Sequence, residues 1–418
     1  MNFFKTSILS SINTVVNMVL RLATNKLIAV YIGSEGFALI GQFKDFLKLG
    51  LSIGQLGLDK GIIKYVAENQ EKPEQLRRVL STAFIAQLVM SVVLALLVFF
   101  FRNQILMLLL GSSTYSEIFM LVSFSIIPMV LFTSLLGILN GLHEVTRYVL
   151  ISIIANICGS LLTIAFIYFF GITGVLYSLG INQFINFSVA LFFLRKSSFQ
   201  IDWIKQKFEK SEFRKLLKFS AMFISGTVSL SITLIAVRKY LTVHFGLDYA
   251  GYWEAMWRIS AIYLTFLTSA FGLYLLPTFS KLNVKYLRKE IFKIWKITIP
   301  LSIIAALGLY FLRDFVIQLI YSEKFLIISG LFLFQLMGDF LKINGWILGN
   351  LLIAKAHAKA FIFFQVGWAL LFYASINFWV ARSGFTGVAI AYFTTYFIHF
   401  VMMNIYFRKL LWRKSIQI

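Results

Sequence analysis

Charge, cysteine and proline are what this sequence has least of. Of its 418 residues only 13% are Asp, Glu, Lys or Arg, against roughly a quarter in an ordinary water-soluble domain. Hydrophobic residues make up 59% and the mean hydropathy is +0.84. A soluble protein of that composition would be covered in apolar patches and aggregate. The single cysteine, Cys158, excludes an internal disulfide and a thiolate metal cluster. The four histidines, His143, His244, His357 and His399, lie far apart without H-E-x-x-H spacing, which argues against a zinc site. Of the four prolines, Pro73 reads as a loop residue. Pro128, Pro277 and Pro300 fall inside apolar runs, where they can kink a helix and free carbonyls. Period-two alternation is missing too, so a transmembrane barrel is excluded.

What is present is long apolar runs of about 20 residues or more, enough to cross a hydrocarbon core as helices. The chain reads as an all-α integral membrane protein with about twelve spans: 4–32, 38–66, 79–101, 115–140, 147–170, 174–194, 215–242, 249–277, 293–312, 325–353, 359–381 and 386–407. The first run continues past Arg21 and Lys26 with no small-residue cleavage site, so it is read as a span and not a signal peptide.

Net charge is +22, and its placement matters more than its sum. With the N-terminus in the cytoplasm, 25 of the 39 Lys and Arg residues fall in cytoplasmic segments, among them Lys5, Lys218, Arg413 and Lys414. Six fall in the opposite loops (Arg102, Arg238, Lys239, Arg313, Lys324, Arg382) and eight within spans. That asymmetry predicts both termini inside. It assigns the excess charge to topology and anionic lipid, not to nucleic acid. The longest soluble stretch, 196–214, is basic. Ile201, Ile204 and Phe208, with Trp203, would suit a helix lying on the membrane surface; a solvated charged linker is the other reading.

The chain also repeats itself. At an offset of 213 residues, Lys5-Thr-Ser falls on Lys218-Phe-Ser, Lys26 on Lys239, Gly33 on Gly246, Glu35 on Asp248, and Gly171-Ile-Thr-Gly-Val175 on Gly384-Phe-Thr-Gly-Val388. Phe101-Arg-Asn matches Leu312-Arg-Asp at 211. The matches lie at span ends. They predict two six-helix halves, 1–195 and 214–418, joined by the basic linker 196–213. Six is an even number, so the halves are parallel copies, an arrangement that places a central cavity between them and works by rocking one against the other.

Ionisable residues inside spans are costly and usually functional. Here they form stripes at helical spacing. Span 1 carries Asn13, Asn17, Arg21 and Thr24/Asn25. Span 2 carries Gln42, Asp45, Lys48, Ser52, Gln55 and Asp59, with Lys44 adjacent. Span 8 carries Glu254, Arg258, Thr265 and Thr268, flanked by Trp253 and Trp257, which could stack on sugar rings or anchor the span at the interface. Span 10 carries Gln335, Asp339 and Lys342. Span 7 offers only Ser225, Ser229 and Thr233. The bland alternative is internal pairing, Glu254 with Arg258, Asp339 with Lys342, and Asp45 with Lys44 or Lys48. Lys60 and Lys64 can snorkel to the cytoplasmic face. Arg21 has no acid within a turn on its own helix. Eight basic and four acidic residues within spans favour an anionic ligand, and phosphate oxygens suit Arg.

The segments Lys64-Tyr-Val-Ala-Glu-Asn-Gln-Glu-Lys-Pro-Glu-Gln-Leu-Arg-Arg78, Tyr274-Leu-Leu-Pro-Thr-Phe-Ser-Lys-Leu282, Leu312-Arg-Asp-Phe315 and Gly338-Asp-Phe-Leu-Lys342 carry a resemblance. The chain resembles, over essentially its whole length, the Wzx-type flippases of bacterial polysaccharide assembly, in the multidrug/oligosaccharidyl-lipid/polysaccharide exporter (MOP) superfamily. That resemblance implies a transporter, not an enzyme. Its cargo would be an undecaprenyl-diphosphate-linked oligosaccharide of O-antigen type, moved from the cytoplasmic to the periplasmic leaflet of the bacterial inner membrane. The alternative cargo is the enterobacterial common antigen unit, lipid III, whose flippase these segments look most like. It implies a cationic substrate cavity, carried here onto Arg21, Lys26, Lys44, Lys48, Arg258 and Lys342. Coupling to a proton or sodium gradient would need an acid, for which Asp45, Asp59, Glu254 and Asp339 are the options. No cofactor or metal is implied. The lipid bilayer, a polysaccharide polymerase and a chain-length regulator are the expected partners.

Three rivals fit less well. A drug/cation antiporter would want an acid where span 1 has Arg21. Lipid II flippases usually carry two further C-terminal helices. A polymerase or ligase would present a large catalytic loop, and here the external loops are short, with no D-x-D or paired carboxylates.

Overall fold

The computed structural model describes residues 3–195, 197, 201–204 and 207–412. Arg413 and Lys414, and the side chains of Lys5, Lys60 and Lys218, lie outside what is described. Helices follow one another along the chain: α1 Phe3–Tyr31, α2 Ser34–Gly54, α3 Asp59–Glu68, α4 Pro73–Phe100, α5 Arg102–Leu110, α6 Ser116–Gly141 and α7 Val145–Leu194. After the linker come α8 Lys210–Phe245, α9 Leu247–Lys281, α10 Val284–Phe311, α11 Arg313–Ile320, α12 Phe332–Ala354, α13 Ala358–Ser383, α14 Gly387–Tyr406 and the short α15 Arg408–Leu411. No strand occurs among the described residues.

All twelve expected spans have helical counterparts. Spans 5 and 6 are the two arms of α7, which bends at Gly171 (φ 58°, ψ −136°). Seven segments among the described residues are long and apolar enough to cross a membrane, two of them holding two spans each. The spans outside that set are α1, the α2–α3 pair and α9. These carry Arg21 and Lys26, the run from Lys44 to Asp59, and Glu254 with Arg258. Their polar stripes lower their apolar content, and such residues face protein or water instead of lipid. The protein is a multi-pass membrane protein.

Three expectations change. Span 2 is not continuous: α2 stops at Gly54 and α3 begins at Asp59. Leu56 (φ 53°) and Gly57 (φ 62°) adopt left-handed backbone between them. Asp45 and Asp59 therefore sit on different helices, not on one face. Arg238, expected in an outer loop, lies within α8 and is 1% exposed. The described part of the linker is not a free strand of charge. It makes a 3-10 turn at Ile201–Ile204 docked on α4. Ser81 Oγ donates to the Ile204 carbonyl at 3.2 Å, the Glu209 N–H donates to Thr82 Oγ1 at 3.0 Å, and Arg78 pairs with Glu209 at 3.5 Å. Trp203 and Ile204 pack into the apolar cluster around Leu76, Val79 and Leu80.

By internal packing the chain divides into Met1–Ile235 and Ala236–Ile418. In the first unit α6 is the central helix, packed on α3, α4 and α7, while α1 runs along α7. In the second, α12 takes that place against α9, α10 and α14.

The 213-residue offset reappears in the backbone. Gly33 and Gly246 (φ 84° and 96°), His143 and Ala356 (59° and 54°), and Gly171 and Gly384 (58° and 59°) share positive φ. α2 and α9 begin, and α6 and α12 end, 213 residues apart. His143 and Ala356 close the same C-cap: Glu144 N–H donates to the Leu139 carbonyl at 2.9 Å, and His357 N–H to that of Leu352 at 2.8 Å, bonds that satisfy the orphan carbonyls of a helix end. The Arg-Asn and Arg-Asp matches form one latch twice. Arg102 Nε donates to Ser116 Oγ (3.1 Å), whose hydroxyl donates to Asn103. Arg313 Nε donates to Ser329 Oγ (2.9 Å), whose hydroxyl donates to Asp314.

Candidate functional site

The stripe on α1 faces α7. Asn156 Nδ2 donates to Asn17 Oδ1 at 2.7 Å, and Asn17 Nδ2 to Asn13 Oδ1 at 3.1 Å. Beyond these asparagines a cavity of about 210 Å³ opens in the first unit, with Arg21, Asn25 and Lys44 on one side and Asn156, Asn182, Gln183 and Asn186 of α7 on the other. Its lining holds two cations and no acid. Arg21 is exposed and has no ion pair or hydrogen bond among the described residues. Asn182 Nδ2 donates to Thr163 Oγ1 at 3.2 Å. The buried carbonyl oxygens of Asn182 and Asn186 find no donor among the described residues, and a buried acceptor without a partner is costly. The chamber thus offers two positive charges for an anion and two acceptors for hydroxyl or amide hydrogens.

A second cavity of about 420 Å³ in the same unit lies beside the break between α2 and α3. Lys48, Gln55, Asp59, Asn140 and Tyr148 are among its lining residues. Lys48 Nζ is 3.0 Å from Asp45 Oδ1, its side chain more than half exposed and the acid buried. Gln42, on the same stripe, is buried and donates to the Leu109 carbonyl at 3.0 Å.

The charges expected to line a cavity in the second unit are bonded to one another or to neighbouring hydroxyls. Glu254 accepts from Arg258 Nε at 2.8 Å through one oxygen and from Arg238 Nη2 at 2.9 Å through the other. Trp253 is 1% exposed, with Arg238 5.8 Å from its ring, so it serves the core. Asp339, wholly buried, accepts hydrogen bonds from Ser260 (2.7 Å), Tyr263 (2.6 Å) and Tyr392 (2.6 Å). Lys342 Nζ reaches Tyr392 Oη at 3.3 Å and lies 5.0, 5.7 and 5.5 Å from the rings of Trp257, Tyr392 and Tyr396. Asp339 and Lys342 are joined through Tyr392.

The structure therefore brings Arg21 to Lys44, and Lys48 to Asp59. Lys26 lies on α1 outside both cavity linings. Arg258, Glu254, Lys342 and Asp339 belong to buried polar clusters of the second unit. Sequence reasoning missed Arg238 as the second cation on Glu254, the hydroxyls of Ser260, Tyr263 and Tyr392, and the amides of α7. Only the last had a signal, since Asn182, Gln183 and Asn186 recur at helical spacing inside an apolar run.

Residues 3–283 match the model of the family described as polysaccharide biosynthesis protein. The chain is 30% identical over 416 residues to the lipid III flippase of Escherichia coli (strain K12), covering 99% of this chain and 100% of that one, and equally to the lipid III flippase of Shigella flexneri. Among solved structures, a multidrug resistance MATE family transporter of the MOP superfamily superposes with a TM-score of 0.77 at 16% identity, over 95% of this chain and 98% of that one. A MOP superfamily transporter from Pyrococcus furiosus, described as having a binding pocket of reverse polarity, gives 0.72 at 15% identity over 97% and 96%. At these identities the structural likeness establishes the fold. The chain belongs to the polysaccharide biosynthesis protein family, as its resemblance to the Wzx-type flippases implied, and has the MOP transporter fold.

Proposed function

We propose that this protein is a flippase that moves an undecaprenyl-diphosphate-linked oligosaccharide across the bacterial inner membrane by alternating access, from the cytoplasmic to the periplasmic leaflet, with both termini in the cytoplasm. The observation that carries the reading is the acid-free cavity holding Arg21 and Lys44. Two cations lining one cavity attract a diphosphate, and the forked guanidinium matches phosphate oxygens. It is a transporter, and nothing in the reading requires bond chemistry. The cargo is an O-antigen-type unit. The full-length relatives named as lipid III flippases support the lipid III unit as the second reading. Physical contact with a polysaccharide polymerase and a chain-length regulator belongs to the same proposal.

Arg21 and Lys44 hold the diphosphate. Coupling to a proton or sodium gradient falls on one of Asp45, Asp59, Glu254 and Asp339, of which Asp45 pairs with Lys48 and Glu254 with two arginines. Complementation tests the reading. Introduced into strains each lacking one flippase, the gene should restore surface polysaccharide in an O-antigen strain. Rescue only of the strain lacking the lipid III flippase would select the second reading, and rescue of none, with the protein present in the membrane, would refute both.

A further inference from the structure

The break in the second span has no counterpart in its repeat. Ser34–Glu68 and Leu247–Lys281 correspond at the 213-residue offset, yet α9 runs unbroken through all 35 residues. The fold therefore does not demand the interruption at 55–58. It has a cost: Leu56 is a side-chain-bearing residue in left-handed backbone, unfavourable by roughly 1–2 kcal/mol. Gly57 is held close, since a Cβ there would lie 2.8 Å from the Ser220 carbonyl oxygen. Irregular backbone within a span is tolerated where it is buried in protein or borders a cavity. This one borders the 420 Å³ cavity. Gln55, the first residue after α2, is 6% exposed and lines it. Its Nε2 is a buried donor with no partner among the described residues.

The other walls match one ligand chemistry. Asn140 supplies an amide, Thr133 a hydroxyl, Tyr148 a hydroxyl on a flat ring, Phe223 a second ring, and Asp59 a carboxylate. Amides and a carboxylate can bond ring hydroxyls in pairs, and beside aromatic faces they suit a neutral, hydroxyl-rich ring; the cation of this lining, Lys48, is paired with Asp45. Position adds the link to the first cavity. Lys44 lines that cavity and Lys48 this one. They are one turn apart on α2, a rise of about 6 Å, so a sugar attached directly to a diphosphate held at Lys44 falls beside Lys48.

We propose that the cavity at the break between α2 and α3 is a sugar subsite that reads the first sugar of the lipid-linked cargo, with Gln55 as a specificity-determining residue. This rests on the flippase reading and adds to it which part of the cargo the broken helix contacts.

The test uses the full-length protein in lipid nanodiscs and three probes: polyprenyl diphosphate, polyprenyl diphosphate carrying one N-acetylhexosamine, and free N-acetylhexosamine. The wild type should bind the sugar-bearing lipid about tenfold or more tighter than the bare diphosphate. Gln55→Met should abolish that gain and leave the affinity for the bare lipid unchanged. Because Nε2 has no partner to lose, this variant should keep the wild-type unfolding temperature. If it does not, Tyr148→Phe carries the same test, removing one hydroxyl while keeping the ring, with an expected loss of about threefold to tenfold confined to the sugar-bearing lipid. Equal wild-type affinity for the two lipids, or retention of the gain in the variant, would overturn the subsite and leave the flippase reading standing. Free sugar binding as tightly as the sugar-bearing lipid would overturn its assignment to lipid-linked cargo. A wild type that binds neither lipid would refute both the subsite and the flippase reading.

Discussion

In the first unit, Arg21 and Lys44 stand on a cavity with no acid in its lining, and the neighbouring span breaks at Gln55–Leu58. In the second unit, built on the same turns 213 residues later, the equivalent span is continuous. Its carboxylate Glu254 is clamped between Arg238 and Arg258, and Asp339 is enclosed by three hydroxyls. One repeated plan thus carries charge in two ways. Arg21, exposed and without an ion pair or hydrogen bond among the described residues, remains available to a ligand. In the second unit, charges bonded across helices hold helices together, α8 to α9 and α9 to α12 and α14. Ionisable residues in a span do not by themselves mark the cargo path; what they bond to decides.

The comparison is broken most forcefully at Glu254. Removing it by Glu254→Ala leaves two buried guanidinium groups without their shared acid, a change that costs about 3–5 kcal/mol when a buried pair is broken. Membrane abundance and the unfolding temperature in detergent should both fall. A stable, abundant but transport-dead variant would return the second unit's charges to the cargo path. Tyr392→Phe is the next largest. It removes the hydroxyl that joins Asp339 to Lys342 and should cost about 1–3 kcal/mol, read as a lower unfolding temperature.

The smallest effect sharpens the likeness between the units. His143→Gly and Ala356→Gly should each raise stability by about 0.5–1 kcal/mol, the relief of left-handed strain less the added freedom of the unfolded chain. Similar shifts at both sites are expected from their shared cap. A gain at one and a loss at the other would mean that the repeated φ hides different surroundings.

Much of this was legible in the sequence, for identifiable reasons. Helix ends need glycine, polar caps and latch residues, so the repeat survives there as Gly33/Gly246, Gly171/Gly384 and Arg102/Arg313 while the apolar span interiors have drifted. The break in the second span was not legible. Leu56 and Leu58 continue the apolar run, and a single Gly57 between them is tolerated in many helices. Arg238 was misread because a basic residue near a span end looks like a topology signal until the facing helix supplies Glu254. The hydroxyls of Tyr263 and Tyr392 were hidden among 45 phenylalanines and 18 tyrosines, where a tyrosine reads as one more apolar ring. Arg21 stood out in the sequence because its stripe is amide-rich and acid-free on its own helix.

The central claim is that Arg21 and Lys44 of the first unit serve the cargo while Arg238, Arg258 and Lys342 of the second serve the fold, and Arg21 tests it most directly. The measurement is transport of a lipid-linked oligosaccharide by purified Arg21→Ala in liposomes, with the unfolding temperature recorded on the same preparation. The account predicts normal abundance and an unchanged unfolding temperature with transport reduced by about a hundredfold, and partial activity in Arg21→Lys, which keeps the charge but not the fork. A stable Arg21→Ala protein with full transport, or one that fails to fold, would contradict it.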